Sequence, residues 1–116
     1  MRGAGIPPRL SVPLVLESPE RQPDGMGGFR LHWVAQGRLW ASMRAGTGAE
    51  RLAEVGAQSV VTWAITVRAA PVGDPRRPRP DQRLRGGARL FRIVSVAETG
   101  AGGRYLICTA REEKLA

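Results

Sequence analysis

The chain has 116 residues, which is enough for one ordinary domain and too few for two. One cysteine and one histidine exclude an intrachain disulfide and leave almost no ligands for a cysteine- or histidine-based metal centre. The formal net charge is +8, and residues 71–92 carry much of it, with seven arginines against two aspartates.

The first predicted element is an edge strand. Apolar residues alternate along Arg9–Glu17, and Pro13 among them is typical of a strand edge or a bulge, since proline donates no hydrogen bond. Residues 1–8 before it are expected to be flexible. The apolar run LSVPLVL is too short and too interrupted for a signal peptide or a membrane span, so we predict neither a leader nor a membrane partner.

The next segments predict a hairpin. Prolines and glycines are concentrated in residues 18–28, which favours a long flexible connection. Phe29–Val34 and Gly37–Arg44 then alternate as one bent strand or two short strands.

The alternation stops in residues 46–58, where a short helix is predicted. Thr47 and Glu50 have the spacing of a capping box, in which each side chain satisfies a backbone amide of the other. Arg51 and Glu54 leave the helix only a narrow apolar stripe, so it needs support from other parts of the protein.

The remaining strands lie in the second half of the chain. Ser59–Arg68 is rich in β-branched residues and is the strongest predicted strand. Gln82–Arg85 and Ala88–Glu98 flank the hairpin signal Gly86-Gly87, and Arg104–Arg111 is predicted to close the sheet before a polar, fraying REEKLA tail. The residues predicted to lie in the core or an interface are Trp40, Val61, Trp63, Ile65, Leu90, Ile93, Val96 and Leu106.

These elements predict a mainly β fold. It is a small antiparallel β-barrel of six to seven strands, with one short helix and long loops, over residues 9–113. Residues 114–116 form a short tail.

An arginine- and proline-rich stretch, PVGDPRRPRPDQRLRGG, interrupts the predicted sheet. Because proline fixes the backbone and removes donors, the loop at 71–82 cannot be a central strand or a helix. One interpretation is a solvated loop. The other is contact with DNA phosphates or an acidic neighbouring subunit, to which guanidinium groups can donate paired hydrogen bonds. The candidate contact residues are Arg76, Arg77, Arg79, Arg83 and Arg85.

Other motifs favour a structural protein. The three tryptophans could stack on bases, but core or interface positions are the expectation because Trp63 lies on an apolar strand face. His32 is the single histidine, so no plausible Ser/His/Asp set exists. We therefore predict that the protein is not an enzyme and binds no cofactor or metal.

Four segments, in this order, carry a resemblance to a known family. They are RLSVPLVLESPE, GRLWASMRAGTGAERLAEVGAQSVVTWAITVR, LRGGARLFRIVSVAE and RYLICTAREE. Together they resemble the siphophage head–tail connector family, whose members are also called head-closure or stopper proteins. One departure is the loop at 71–82, where that family usually has a short link of proline, glycine and a hydrophobic residue.

The resemblance implies a structural protein of a virion, from a tailed phage or a phage-like particle such as a gene transfer agent. It implies assembly in the bacterial cytoplasm into a ring of six or twelve copies in the particle neck. The implied partners are portal and adaptor proteins, tail terminator and tail tube proteins, and double-stranded DNA passing non-specifically through the ring. In such proteins a long loop can project into the channel, and the matching segment here is Gly46–Gln58, which includes Thr47, Glu50, Arg51 and Glu54.

A second hypothesis comes from the charge alone. A small β-barrel of the OB or Sm-like type could bind nucleic acid through the arginine cluster. Aromatic residues make up only 5% of the chain, however, and their spacing forms no evident stacking platform.

Overall fold

The computed structural model describes residues 8–46 and 61–113, and these residues form an antiparallel sheet. Its strands are β1 (Val12–Pro23), β2 (Phe29–Ala45), β3 (Thr62–Arg68), β4 (Arg83–Gly86), β5 (Arg89–Thr99) and β6 (Tyr105–Glu113). A tight turn at Ala101–Gly103, in which Gly102 and Gly103 each have a positive φ of 69°, joins β5 to β6.

The six strands close on themselves as a barrel in the order β1-β2-β3-β6-β5-β4. The mainly β class and the small antiparallel barrel are therefore confirmed. The helix predicted at 46–58 lies outside the described residues except for Gly46, whose amide donates to the Thr62 carbonyl. Nearly all of the predicted flexible N-terminus and the whole of the tail at 114–116 also lie outside them.

The barrel interior is filled by alternate residues of every strand. Leu14 and Leu16 enter from β1, Ile65 and Val67 from β3, because every second side chain of a strand points to the same face. The buried apolar residues are Leu14, Leu16, Ala41, Ile65, Val67, Leu84, Phe91, Ile93, Leu106, Cys108 and Ala110. Burying each large aliphatic or aromatic side chain contributes about 1.5–3 kcal/mol, and this core supports the surface segments.

The predicted long connection at 18–28 is wrong, because residues 18–23 belong to β1. They pair in register with β2 up to Pro23 opposite Phe29. Prolines are tolerated there because β4 pairs with β1 only at Val15–Glu17, so the outer edge of the continuing strand needs no donors. The turn shrinks to a few residues, in which Asp24 Oδ1 accepts hydrogen bonds from the amides of Met26 and Gly28.

In β5, the residue after the predicted core or interface residue Leu90 takes the buried position. Phe91 is buried with 1% exposure, whereas Leu90 is only half-buried. A bulge between Ile93 and Ser95 shifts the register against β6, so residues on both sides of the bulge can face the core. Ile93 is buried, and Val96 packs against the core beyond the bulge.

In the second half of the chain, the turn between β4 and β5 and the end of β6 differ from the prediction by a few residues. Gly86 pairs with Arg89, so the hairpin turn consists of Gly87 and Ala88, and Gly87 supplies the positive φ of 60°. The fraying predicted from Arg111 onwards is wrong for residues 111–113. Strand β6 runs to Glu113, which pairs with β5.

Candidate interaction surfaces

The arginine- and proline-rich loop at 71–82 is a folded series of turns and not an unstructured linker. The amide of Asp74 donates to the Pro71 carbonyl, and the amide of Arg77 donates to the Asp74 carbonyl. Within the loop, Pro78 is buried. At its end, Gln82 is 2% exposed and donates from Nε2 to Ser18 Oγ at 2.6 Å, which fixes the loop to β1.

The three arginines inside this loop have different environments. Arg77 donates to the Ala70 carbonyl at 2.7 Å and to Glu98 Oε2 at 3.3 Å, so its guanidinium holds the loop against the barrel. Arg76 lies 3.5 Å from Asp74 Oδ1, but its side chain is 62% exposed. Arg79 is also exposed. The loop therefore presents Arg76 and Arg79 to solvent while Arg77 anchors it.

Asp74 organises the exposed end of the loop. Its Oδ1 accepts a hydrogen bond from the Arg76 amide at 2.8 Å. That hydrogen bond, together with the Arg76 guanidinium, lowers the pKa of the Asp74 carboxyl below its ordinary 3.8. The aspartate is therefore ionised at neutral pH and partly neutralises the charge of Arg76.

Arg83 and Arg85 share one buried carboxylate on β1. Arg83 Nε donates to Glu17 Oε1 at 2.6 Å, and Arg85 Nε donates to Glu17 Oε2 at 2.9 Å. Burial raises the pKa of Glu17, but the hydrogen bonds from Arg85 and Arg83 outweigh it and hold the pKa below the ordinary 4.5. Glu17 was not among the predicted site residues, although two arginines spaced two apart on one strand indicate a shared acidic neighbour across the ladder.

Trp33 is covered by the same group of arginines. The guanidinium carbon of Arg83 lies 4.1 Å from the centre of its ring, and that of Arg92 lies 5.1 Å away. Both distances are within the range of cation–π attraction. Because these guanidiniums contact the half-buried ring, Trp33 contributes to packing within this chain.

A second ionic cluster joins the end of β6 to β5. Glu112 accepts hydrogen bonds from Arg89 Nε at 2.8 Å and from Trp63 Nε1 at 3.0 Å. The hydrogen bond from Arg89 is the main cause that lowers the pKa of Glu112 below 4.5. Trp63 also meets Phe91 edge to face, with ring centres 6.0 Å apart. The predicted core or interface residue Trp63 thus packs at the rim of the barrel core.

The β1–β2 hairpin extends beyond the barrel as a two-stranded arm. We call residues 18–34 the arm, because β4 pairs with β1 only up to Glu17 and β3 pairs with β2 only from Ala41. Paired residues of a ladder share a face, so Phe29 and Leu31 lie on one face with their partners Pro23 and Arg21. Phe29 is 61% and Leu31 is 53% exposed, and Met26 at the tip is 90% exposed.

An open recess lies elsewhere on the barrel surface. Its volume is about 390 Å³, and its apolar wall includes Leu10, Trp40, Ala70 and Pro71. Trp40 is 53% exposed, so this predicted core or interface residue is not in the barrel core. Arg38 and Arg76 also line the recess.

The other predicted site residues are distributed over the barrel. Ile65, Ile93 and Leu106 are buried, and Val61 is half-buried just before β3. Thr47, Glu50, Arg51 and Glu54 lie outside the described residues. Within residues 8–46 and 61–113, no group of three or more His, Cys, Asp or Glu side chains is arranged to hold a metal ion. The same residues contain no helix of the length and apolarity needed to cross a membrane.

A family model described as phage head completion protein matches residues 6–113 of the chain. The chain belongs to the phage head completion protein family. This confirms the resemblance inferred from the four sequence segments, and the family is a structural one. It favours the connector hypothesis over the nucleic-acid-binding module of the OB or Sm-like type.

Two solved structures are similar to this head completion protein. A chain from the virion of a native gene transfer agent particle is 53% identical and has a TM-score of 0.77, over 95% of this chain and 100% of that chain. A protein from Shigella flexneri 2a, solved in solution, has a TM-score of 0.64 over 93% of this chain and 96% of that chain. Its identity is 17%, so it shows the fold alone. No curated protein sequence matches the chain.

Proposed function

We propose that this head completion protein is a component of the neck of a gene transfer agent or a similar tailed particle. It forms a ring below the portal and adaptor, closes the DNA-filled head and provides a docking surface for the tail terminator and tail tube proteins. The observation that carries this proposal is the 53% identity to a chain of a gene transfer agent virion, which extends over the full length of that chain.

The proposed mechanism is assembly and not catalysis. The closed barrel provides a rigid body, and the segments that leave it provide the contacts. Ring formation by six or twelve copies would place the same segments at regular positions around a channel. The segment Gly46–Gln58, with Thr47, Glu50, Arg51 and Glu54, stays the predicted channel or adaptor contact.

Exposed arginines of the loop at 71–82 support contact with passing DNA. Arg76 and Arg79 present guanidiniums to solvent, whereas Arg83 and Arg85 hydrogen-bond to Glu17. The proposed contact with DNA is therefore assigned to Arg76 and Arg79 alone among the five candidate arginines. Contacts of arginine with phosphate oxygens do not depend on base sequence, as a channel for any packaged DNA requires. A small number of contacts also leaves the DNA free to move.

Particles made without this protein test the proposal. The gene is deleted in a producing strain, and particles are imaged by electron microscopy and assayed for nuclease-resistant DNA. We expect heads that lack tails and lose their DNA, with normal particles restored by a plasmid copy of the gene. Tailed heads that retain DNA in the deletion strain would overturn the proposal.

A further inference from the structure

Within the described residues, the barrel supports only the base of the arm, where Gln82 Nε2 donates to Ser18 Oγ and the guanidinium of Arg83 covers Trp33. The strands of the arm, residues 18–23 and 29–34, form ladder pairs only with each other among the described residues, and an isolated two-stranded hairpin is marginal in water. Its apolar face nevertheless exposes Phe29 and Leu31, and its tip exposes Met26. Large apolar side chains exposed on one face and at the tip of the arm favour an interaction surface.

The recess is complementary to this arm in chemistry. Its wall offers the half-exposed ring of Trp40 beside the small side chains of Ala70 and Pro71, which leaves room for an inserted apolar side chain. Aromatic anchors that fill such pockets dominate the energy of many protein interfaces. Arg38 in the recess has no ion-pair partner among residues 8–46 and 61–113.

Charge also matches the arm to the recess. The arm has no net charge, with Glu20 and Asp24 against Arg21 and Arg30, in a chain whose formal charge is +8. Its tip carries the Asp24 carboxylate next to the apolar residues Met26 and Phe29. A carboxylate at the tip would meet the guanidinium of Arg38, so a second copy is not repelled by the overall positive charge.

The two surfaces cannot meet within one molecule. Leu31 of the arm and Trp40 of the recess lie on the same strand, β2, about 30 Å apart at roughly 3.3 Å per residue. Contact between different surfaces of identical subunits is head-to-tail, and it closes a ring when the rotation between subunits is suitable.

We propose that the arm of one copy docks into the recess of the next copy, with Met26 and Phe29 against Trp40 and with Asp24 facing Arg38. This inference rests on the proposed ring and specifies which surfaces form it. The occupant of the recess is thus a second copy of this chain, and the repeated contact joins the subunits around the neck.

Cysteine cross-linking in assembled particles tests the proposed contact. Met26→Cys and Ala70→Cys are introduced together, and purified particles are treated with a short bis-maleimide before denaturing gel electrophoresis. Cys108 is buried, so the natural thiol does not compete. We expect a ladder of cross-linked multimers of this chain with the double variant, and only monomer with either single variant.

Other cross-linking outcomes would overturn the inference. Dimers from Met26→Cys alone would place two tips together. Cross-links only to a different virion protein would give the arm another partner. Monomer alone, in particles whose necks are intact, would show that the arm does not reach the recess. In the last case the proposed head completion role would stand while the arm contact would fail.

A second pair of variants tests the inference if particles that carry the cysteine variants do not assemble. Phe29→Ser removes an arm anchor, and Val94→Ser removes an apolar side chain that is 47% exposed outside both surfaces. We expect both purified chains to unfold at the same denaturant concentration as the parent. In complemented strains, Phe29→Ser reduces tailed, DNA-retaining particles on the order of tenfold or more, and Val94→Ser leaves the yield unchanged. Equal yields with both variants would contradict the arm contact.

Discussion

Arg83 Nε donates to Glu17 Oε1 across 2.6 Å, although the two residues are separated by 66 positions in the sequence. The same carboxylate accepts from Arg85, and Arg83 in turn contacts the ring of Trp33. This cluster lies where β1 leaves its pairing with β4 and continues into the arm. It therefore connects the barrel to the base of the projecting hairpin.

Replacing Glu17 is expected to destabilise the protein. Glu17→Gln removes the carboxylate that compensates Arg83, whose side chain is only 17% exposed. The expected loss in free energy of unfolding is about 2 kcal/mol, because hydrogen bonds to buried charged groups are costly to leave unmade. Urea unfolding measures it, with Glu20→Gln on the exposed arm as a control that changes stability by less than about 0.5 kcal/mol. Equal stabilities of the two variants would contradict this role of Glu17.

The acid side of the stability profile depends on the same carboxylate. The folded-state pKa of Glu17 lies below 4.5. The contribution of the ionised carboxylate to the free energy of unfolding is therefore fully present above pH 4.5, and it is lost as the pH falls through the folded-state pKa. Stability is expected to decrease below about pH 4.5, less steeply for Glu17→Gln than for the parent. Thermal unfolding from pH 7 to pH 3 tests this, and parallel profiles of the two proteins would contradict it.

The thiol of Cys108 is expected to be unreactive in the folded protein. Burial raises its pKa from an ordinary 9.0 to about 12. At pH 8 the thiolate fraction is then lower by on the order of a thousandfold, and the thiolate is the reactive species. Reaction with a chromogenic disulfide reagent should therefore be slow in buffer and fast in denaturant. Rapid labelling in the native state would show that the interior around β6 is open.

The arginines of the loop at 71–82 are expected to separate into structural and contact residues. Arg77→Ala removes hydrogen bonds to Ala70 and Glu98 and should lower the unfolding free energy by about 1 kcal/mol. The double variant Arg76→Ala and Arg79→Ala should leave stability within about 0.5 kcal/mol, yet reduce retention of DNA on a low-salt affinity column. Unchanged retention would remove the support for a DNA contact by this loop.

Period-two alternation was sufficient to predict the barrel, but not every register within it. Leu14 and Leu16, Ile65 and Val67, and Leu106 and Cys108 are buried as the alternating pattern indicates. In β5, Leu90 and not Phe91 was predicted as a core or interface residue because both are apolar, and the bulge near Ser95 has no glycine or proline to mark it. Sequence periodicity alone cannot choose between two apolar faces.

The surface was less predictable than the core because its contacts are long-range. Pro19 and Pro23 favoured a turn in the sequence, but both fit in β1 because only one side of that strand is paired there. Arg77 could not be separated from Arg76 in the sequence, since its carbonyl acceptor and Glu98 are brought to it only by the folded loop and β5. Whether such an arginine anchors the loop or stays exposed depends on neighbours that the local sequence does not identify.

A cryo-electron microscopy map of the neck of intact particles would show whether this chain forms the proposed ring. We expect a ring of copies of this chain between the portal–adaptor assembly and the tail, with the chain's closed barrel fitting each subunit. A neck built from other proteins, with no density that fits this barrel, would contradict it.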